Sequence, residues 1–366
     1  MIVWLFITFG FFIAALTSRP AMSYALLAFI FIIFAFQYDI GGDYHIYKIL
    51  FSSDKEYLAF RRIDLGYQYL IDFVKWLGLN FQGIYLVSAP VIFCLLLKSL
   101  NFYSREFRID QSLFILLFFS FLYFDYLGLI RQAIAQSIVF YASVFLFKKR
   151  TTIFVLLVIL AASIHLSAIF SLALIPVITW GYNRHHLFIV LGLGLFFFVF
   201  GGVSNLGPLF FEYKLPFYSY FYSAIWADKQ PGMFSQVVTT ISILIACGVV
   251  FLYKSLDLDK RLVGIFILYV ALRAFLSDMH AGHRVLMLFK PFLMLFIVHF
   301  IGKVLVSLQL KSNVIGNAAI AFVFSCYAIF NMSVRLSDDS KFYDLQLNLD
   351  FITPESEYIL NVCCEK

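Results

Sequence analysis

Apolar residues fall along this chain in long uninterrupted blocks. The blocks lie near residues 2–17, 21–38, 83–98, 111–124, 131–147, 151–164, 166–180, 187–202, 235–253, 262–276, 285–302 and 313–333. They do not alternate as a half-buried strand does, and they carry no polar face as a soluble helix does. A segment apolar on every side belongs in lipid or deep core. A chain in lipid must satisfy its own backbone, which leaves helices. The pattern predicts an all-α, polytopic integral membrane protein with about twelve transmembrane helices. Several blocks are shorter than the roughly 20 residues of a straight span and read as half-helices or re-entrant segments. Only His165 separates 151–164 from 166–180. One kinked helix, one span plus a re-entrant segment, and two spans with a tight turn all fit there. Residues 2–16 resemble a signal-peptide core but lack a basic lead-in, so a retained first helix is expected.

Composition narrows the class. The 366 residues are 63% hydrophobic and 13% charged, against about 25% charged in globular domains. That excludes an ordinary soluble enzyme and a disordered chain. The net charge is +6, yet the 27 Lys and Arg are scattered, so no basic face tracks a nucleic acid. Charge also orients the blocks. With the N-terminus outside and one crossing per block, the inner connectors hold 13 of the 27 basic residues, among them Lys148, Lys149 and Arg150. They hold only four of the 21 acids, namely Glu106, Asp110, Asp257 and Asp259. This agrees with the positive-inside rule. The long segments 39–82 and 203–234 and the tail 334–366 then lie outside, on one transmembrane domain spanning 1–366. Within the first loop, 66–78 reads as an amphipathic interfacial helix. Of five cysteines, Cys94, Cys247 and Cys326 sit in apolar blocks, and Cys363 and Cys364 are adjacent near the end. No metal spacing is present beyond a weak His280-x-x-His283, and no metal or cofactor is expected.

Four polar clusters carry the candidate chemistry, and all are expected at outer helix ends. Asp39, Asp43, Tyr44 and His45 surround a Gly-Gly turn, with Arg61, Arg62 and Asp64 later in the same loop. These suit hydrogen bonding to sugar hydroxyls or general-base work; the plain alternative is a solvated turn and a surface ion pair. Asp125 and Arg131-Gln132 flank a very short turn between apolar helices. An arginine there is costly, and its planar fork suits phosphate oxygens. Pairing with Asp125 or snorkelling is the alternative. His165 lies between apolar runs with Ser163 and Ser167 nearby, either as a hydrogen-bonded core group or as an acid–base residue. Arg273, Asp278, His280, His283 and Arg284 crowd one turn, and Lys290 follows two turns down the next block. Together these offer cations for an anionic headgroup, carboxylates for hydroxyls and apolar grooves for a lipid tail.

The order of motifs resembles a known family. Gly41-Gly-Asp43-Tyr44-x-x-Tyr47, Asp64-x-Gly66-Tyr67, Leu79-Asn80-Phe81, Ile130-Arg131-Gln132-Ala133-Ile134-Ala135 and Ala161-Ala-Ser-Ile-His165-Leu-Ser167-Ala168 resemble the EpsG-like family of Wzy-type bacterial polysaccharide polymerases. The resemblance covers about residues 35–180 and continues beyond mainly by hydropathy. It implies a glycosyltransferase that joins undecaprenyl-diphosphate-linked oligosaccharide units at the outer face of the bacterial cytoplasmic membrane. It also implies an architecture like the lipid-dependent GT-C enzymes, with membrane lipids, a flippase and a chain-length regulator as expected partners and nucleic acid excluded.

The expected roles follow. Arg131, Arg273, Arg284 and Lys290 meet the diphosphate. Asp43, Asp64, His165 and His283 are the catalytic candidates. Asp39, Tyr44, Arg61, Arg62, Gln132 and His280 contact the rest of the substrate. A ligase moving sugar from lipid to another acceptor would use the same arginines. A flippase would show internal repeats and midplane polar groups, and neither is evident.

Overall fold

The computed structural model describes residues 2–17, 19–60, 63–180, 183–200, 233–277, 282–307 and 314–337. The described chain is all helix and turn, with no strand. It opens with α1 (Ile2–Thr17) and α2 (Pro20–Phe36), the second started by Pro20 at its first position, where a missing N–H costs nothing. The 39–82 loop folds into three short helices, α3 (Tyr44–Ser52), α4 (Lys55–Phe60) and α5 (Leu65–Trp76). Long helices follow: α6 (Gly83–Phe107), α7 (Gln111–Gly128) and α8 (Ile130–Phe147). Then come α9 (Thr151–Ile164), α10 (Leu166–Thr179), α11 (Arg184–Val199), α12 (Met233–Leu252), α13 (Lys260–Phe275), α14 (Gly282–Ser307) and α15 (Val314–Ser337).

Each apolar block of the sequence contains helix. Among the described residues, five helical segments are long and apolar enough to cross a membrane: Gly83–Phe107, Gln111–Gly128, Ile130–Phe147, Ser235–Leu252 and Gly282–Ser307. Helix α8 is the most buried of the five and packs on α6 and α9, while α12 is the least buried. Large apolar side chains such as Phe6, Phe9, Leu156, Leu244 and Phe322 stand exposed. That surface would aggregate in water and is at home in lipid. The chain is an all-α membrane protein.

Three local features differ from a plain bundle. At His165 the backbone is extended (φ −151°, ψ 109°) and α10 begins as 3-10 helix, so 151–180 is a broken pair rather than one continuous helix. Residues Phe119–Tyr123 of α7 form a π-helical stretch. The helix expected over 66–78 is present as α5, and its outward side mixes apolar residues with Asp72 and Lys75. Tyr67, Ile71 and Val74 are buried, while Leu65, Tyr69, Phe73 and Trp76 form an outward stripe.

The bundle has two unlike ends. At one, the connectors predicted to lie inside meet each other. Arg261 reaches Glu106 at 3.0 Å and lies over the rings of Phe107 and Phe147 at 5.2 and 5.1 Å. Lys303 pairs with Asp257 at 2.6 Å, and Arg184 donates to the Phe251 carbonyl at 3.2 Å. The opposite end carries the 39–82 loop and most of the candidate site.

Candidate functional site

The loop is anchored by an aromatic core and by glycine contacts. Tyr44 stacks on Tyr85 at 5.9 Å and meets Phe81 edge-on at 5.1 Å, while Tyr47 leans on Tyr67 at 5.8 Å. The buried Gln37 donates to the Leu127 carbonyl at 3.2 Å, and Gln82 donates to the Gln37 carbonyl. Gly41 has φ +96°, and a Cβ there would lie 2.3 Å from the Gly128 Cα. The two backbones touch, which only glycine allows. Gly66 has the same role in the next turn: a Cβ would lie 2.5 Å from the Ser163 hydroxyl and 2.8 Å from its carbonyl oxygen. The first turn of α5 therefore rests on the end of α9, beside His165.

That approach carries Asp64 over Arg131. The two form an ion pair with 17% and 16% of their side chains exposed. Asp64 also accepts the Leu166 backbone N–H, so one carboxylate ties together the starts of α5, α8 and α10. The Arg131 guanidinium lies 5.3 Å from the centre of the Tyr67 ring. Its Nε is buried and has no acceptor among the described residues. Burial pushes the Asp64 carboxyl above the usual carboxylate range, against the opposing charge and hydrogen bond of Arg131.

Arg284 is brought to the same place from the far side of the sequence. Gln132 donates to the Arg284 carbonyl, and Gln136, one turn on, donates to the Met287 carbonyl. Two glutamines spaced i, i+4 thus clasp the first turns of α14 against α8. Asp43 is half-buried, with Arg284, Arg131 and His283 as its charged neighbours. Burial raises its carboxyl pKa, and those three groups pull the other way. His165 is buried, with Arg131 and Arg284 as electrostatic neighbours. Neither of its ring nitrogens has a partner among the described residues. A core histidine held by the nearby serines would show one, so the structural reading of His165 finds no support.

The candidate residues divide. Asp43, Asp64, Arg131, His165, His283 and Arg284 converge. Gln132 adjoins them as a clasp. Tyr44 is buried, with its hydroxyl donating to Gln82 at 3.4 Å. Asp39 pairs with His45 at 2.9 Å on the surface. Asp125 pairs with Lys290 at 2.7 Å rather than with Arg131, because the break between α7 and α8 at Leu129 turns the two side chains apart. Lys290 and Arg273 lie against a separate cavity. Arg61, Arg62, Asp278 and His280 lie outside the described residues. Sequence reading missed Gln136 and the Gln37–Gln82 clasp. Amides spaced four apart in an apolar helix were the available signal for the first.

Arginines beside carboxylates and an unengaged imidazole can bind an anion and accept a proton at the same point. No curated protein and no solved structure matches the chain. The model of the EpsG family matches residues 21–347, which takes in every residue of this cluster and nearly all of the described helices, and the chain belongs to that family.

Proposed function

We propose that this chain polymerises oligosaccharide units carried on undecaprenyl diphosphate, at the outer face of the bacterial cytoplasmic membrane. The observation that carries this reading is the convergence of Arg131 and Arg284 with Asp43, Asp64 and His165 at the loop end of an apolar bundle. Arg131 and Arg284 bind the donor's diphosphate and stabilise the charge that builds on it as the sugar C1–O bond breaks. The acceptor unit's hydroxyl oxygen forms the new bond to C1. Its proton passes to Asp43, the part-buried carboxylate that has Arg284, Arg131 and His283 as charged neighbours. The lipid diphosphate leaves. Asp64 positions Arg131, and His165 and His283 line the acceptor side. The loop end is the outer end, which places Lys148, Lys149 and Arg150 inside. A flippase supplies the lipid-linked unit and a chain-length regulator limits the product. The GT-C architecture is part of the same reading.

Cells carrying Arg131→Ala should accumulate single repeat units and lose the polymer ladder on a gel. A variant of normal abundance that still makes long chains would refute the role given to Arg131. A ligase would instead leave long polymer on its lipid when mutated, so the same gel separates the two activities.

A further inference from the structure

Arg273 and Lys290 do not reach the cluster around Arg131. They line a cavity of about 600 Å³ between α12, α13, α14 and α15, closed on one side by Phe121 of the π-helical stretch. Helix α14 divides the two places. Its Arg284 and Met287 carbonyls are clasped by α8, whereas Lys290 turns to α7, where it meets Asp125 at 2.7 Å and the Phe121 carbonyl at 3.4 Å.

Apart from Ser242, the cavity is mainly apolar below its loop end. Phe266, Leu293, Phe296 and Phe300 line its depth. The stretch of α14 from Lys290 to Phe300 is about 15 Å long at 1.5 Å per residue, about half the hydrocarbon thickness of a bilayer. Arg273, in the last turn of α13, stands at the loop end. Asp125 already balances Lys290, while the buried Nε of Arg273 has no acceptor among the described residues. The mouth is bordered by Ile245 and Phe330, which are 54% and 62% exposed on the flank of the bundle. A chain can therefore enter sideways from lipid. A slot whose headgroup end carries a cation with no carboxylate partner among the described residues, above a deep apolar barrel, fits a long-chain lipid phosphate.

We propose that this cavity is a second lipid site, holding the chain of a prenyl diphosphate with its phosphate on Arg273, while Arg131 and Arg284 hold another. The inference rests on the polymerase reading, because joining two lipid-linked units requires both to be bound at once. The outward transfer then runs across the first turns of α14, from one lipid site to the other.

The test is equilibrium binding of radiolabelled undecaprenyl diphosphate to the full chain in phosphatidylcholine nanodiscs. The wild type should saturate at two lipids per chain. Ser242→Trp, which fills the cavity, and Arg273→Ala should each leave one site and weaken the other tenfold or more, with unchanged elution and melting. Saturation of the wild type at one lipid, or undisturbed binding in both variants, would overturn the second site. Equal displacement by phosphatidylglycerol would make the cavity a phospholipid slot and also overturn it. Arg131→Ala should lose the other lipid. If it keeps both while the cavity variants lose one, the cavity stands and the polymerase reading of Arg131 fails.

Discussion

Asp43 and Asp64 both occupy helix N-cap positions, and neither side chain caps its helix. Asp110 and Asp259, at the basic end, do cap theirs, with bonds of 3.1 Å to Leu113 N–H and 2.8 Å to Arg261 N–H. A capping bond is worth about 0.5–2 kcal/mol. At the loop end that stabilisation is given up and the carboxylates point to arginines instead, as functional positions do. The raised pKa of Asp43 has a sign. In the proposed mechanism its ionised form takes the proton, so activity should fall as pH drops through a value above the ordinary carboxylate pKa of about 3.9. Folding stability moves the opposite way: the contribution of this group is fully present below that ordinary pKa and is lost as pH rises through the raised one. Asp43→Asn should cost about 10²–10⁴ in polymerisation rate and remove the acid limb of the profile. An in vitro chain-extension assay run across pH decides the matter, and an unchanged limb in the variant would assign the proton to another group. Residue types singled out Asp43 and Asp64 as candidates but did not say which arginine each would face. The plain alternatives, a solvated turn and a surface ion pair, are set aside only by the partners across the fold.

At the scale of elements, apolar blocks translated directly into helices, since burial in lipid leaves the backbone no other choice. Side-chain pairing did not translate. Arg131 and Asp125 are six residues apart, and their pairing is the plain alternative, yet their partners lie 67 and 165 residues away. The helix break at Leu129 decides this, and apolar periodicity does not reveal a break. Gly66 is a case where the sequence marked the right place without the reason. Its neighbour is the Ser163 backbone, which cannot swing aside as a flexible side-chain tip would. Gly66→Ala should therefore lift α5 from α9 at a cost of about 1–3 kcal/mol and separate Asp64 from Arg131. Polymer output should fall more than protein abundance does. Ser163→Gly in the same chain clears the hydroxyl but not the carbonyl, so it should restore little. Full rescue by that second change would mean the clash is with the side chain alone.

Across the whole molecule the two ends divide labour. At the basic end, Arg261 gives its Nε to Asp259 at 3.1 Å and its Nη2 to both Asp259 and Glu106 at 2.9 and 3.0 Å, with two aromatic rings beneath it. At the loop end, Arg131 keeps a bare buried Nε, and both nitrogens of His165 are unmet among the described residues. A satisfied network stabilises, whereas unmet buried donors are a standing cost that a bound anion or hydroxyl would relieve. Charge asymmetry along the sequence foretold that the basic connectors share an end, but it could not tell which end is saturated. Arg261→Ala should lower unfolding stability by about 1–3 kcal/mol, because Asp259 and Glu106 lose a charged donor, and should leave polymer made per folded molecule unchanged. Arg131→Ala should also lower stability, because it strands the part-buried Asp64 carboxylate without its cation, but unlike Arg261→Ala it should remove the polymer made per folded molecule. Thermal unfolding in detergent, read beside polymer per folded chain, separates the two patterns. If Arg261→Ala abolished polymer at normal folded yield, the basic end would be part of the chemistry and the division between the ends would be wrong.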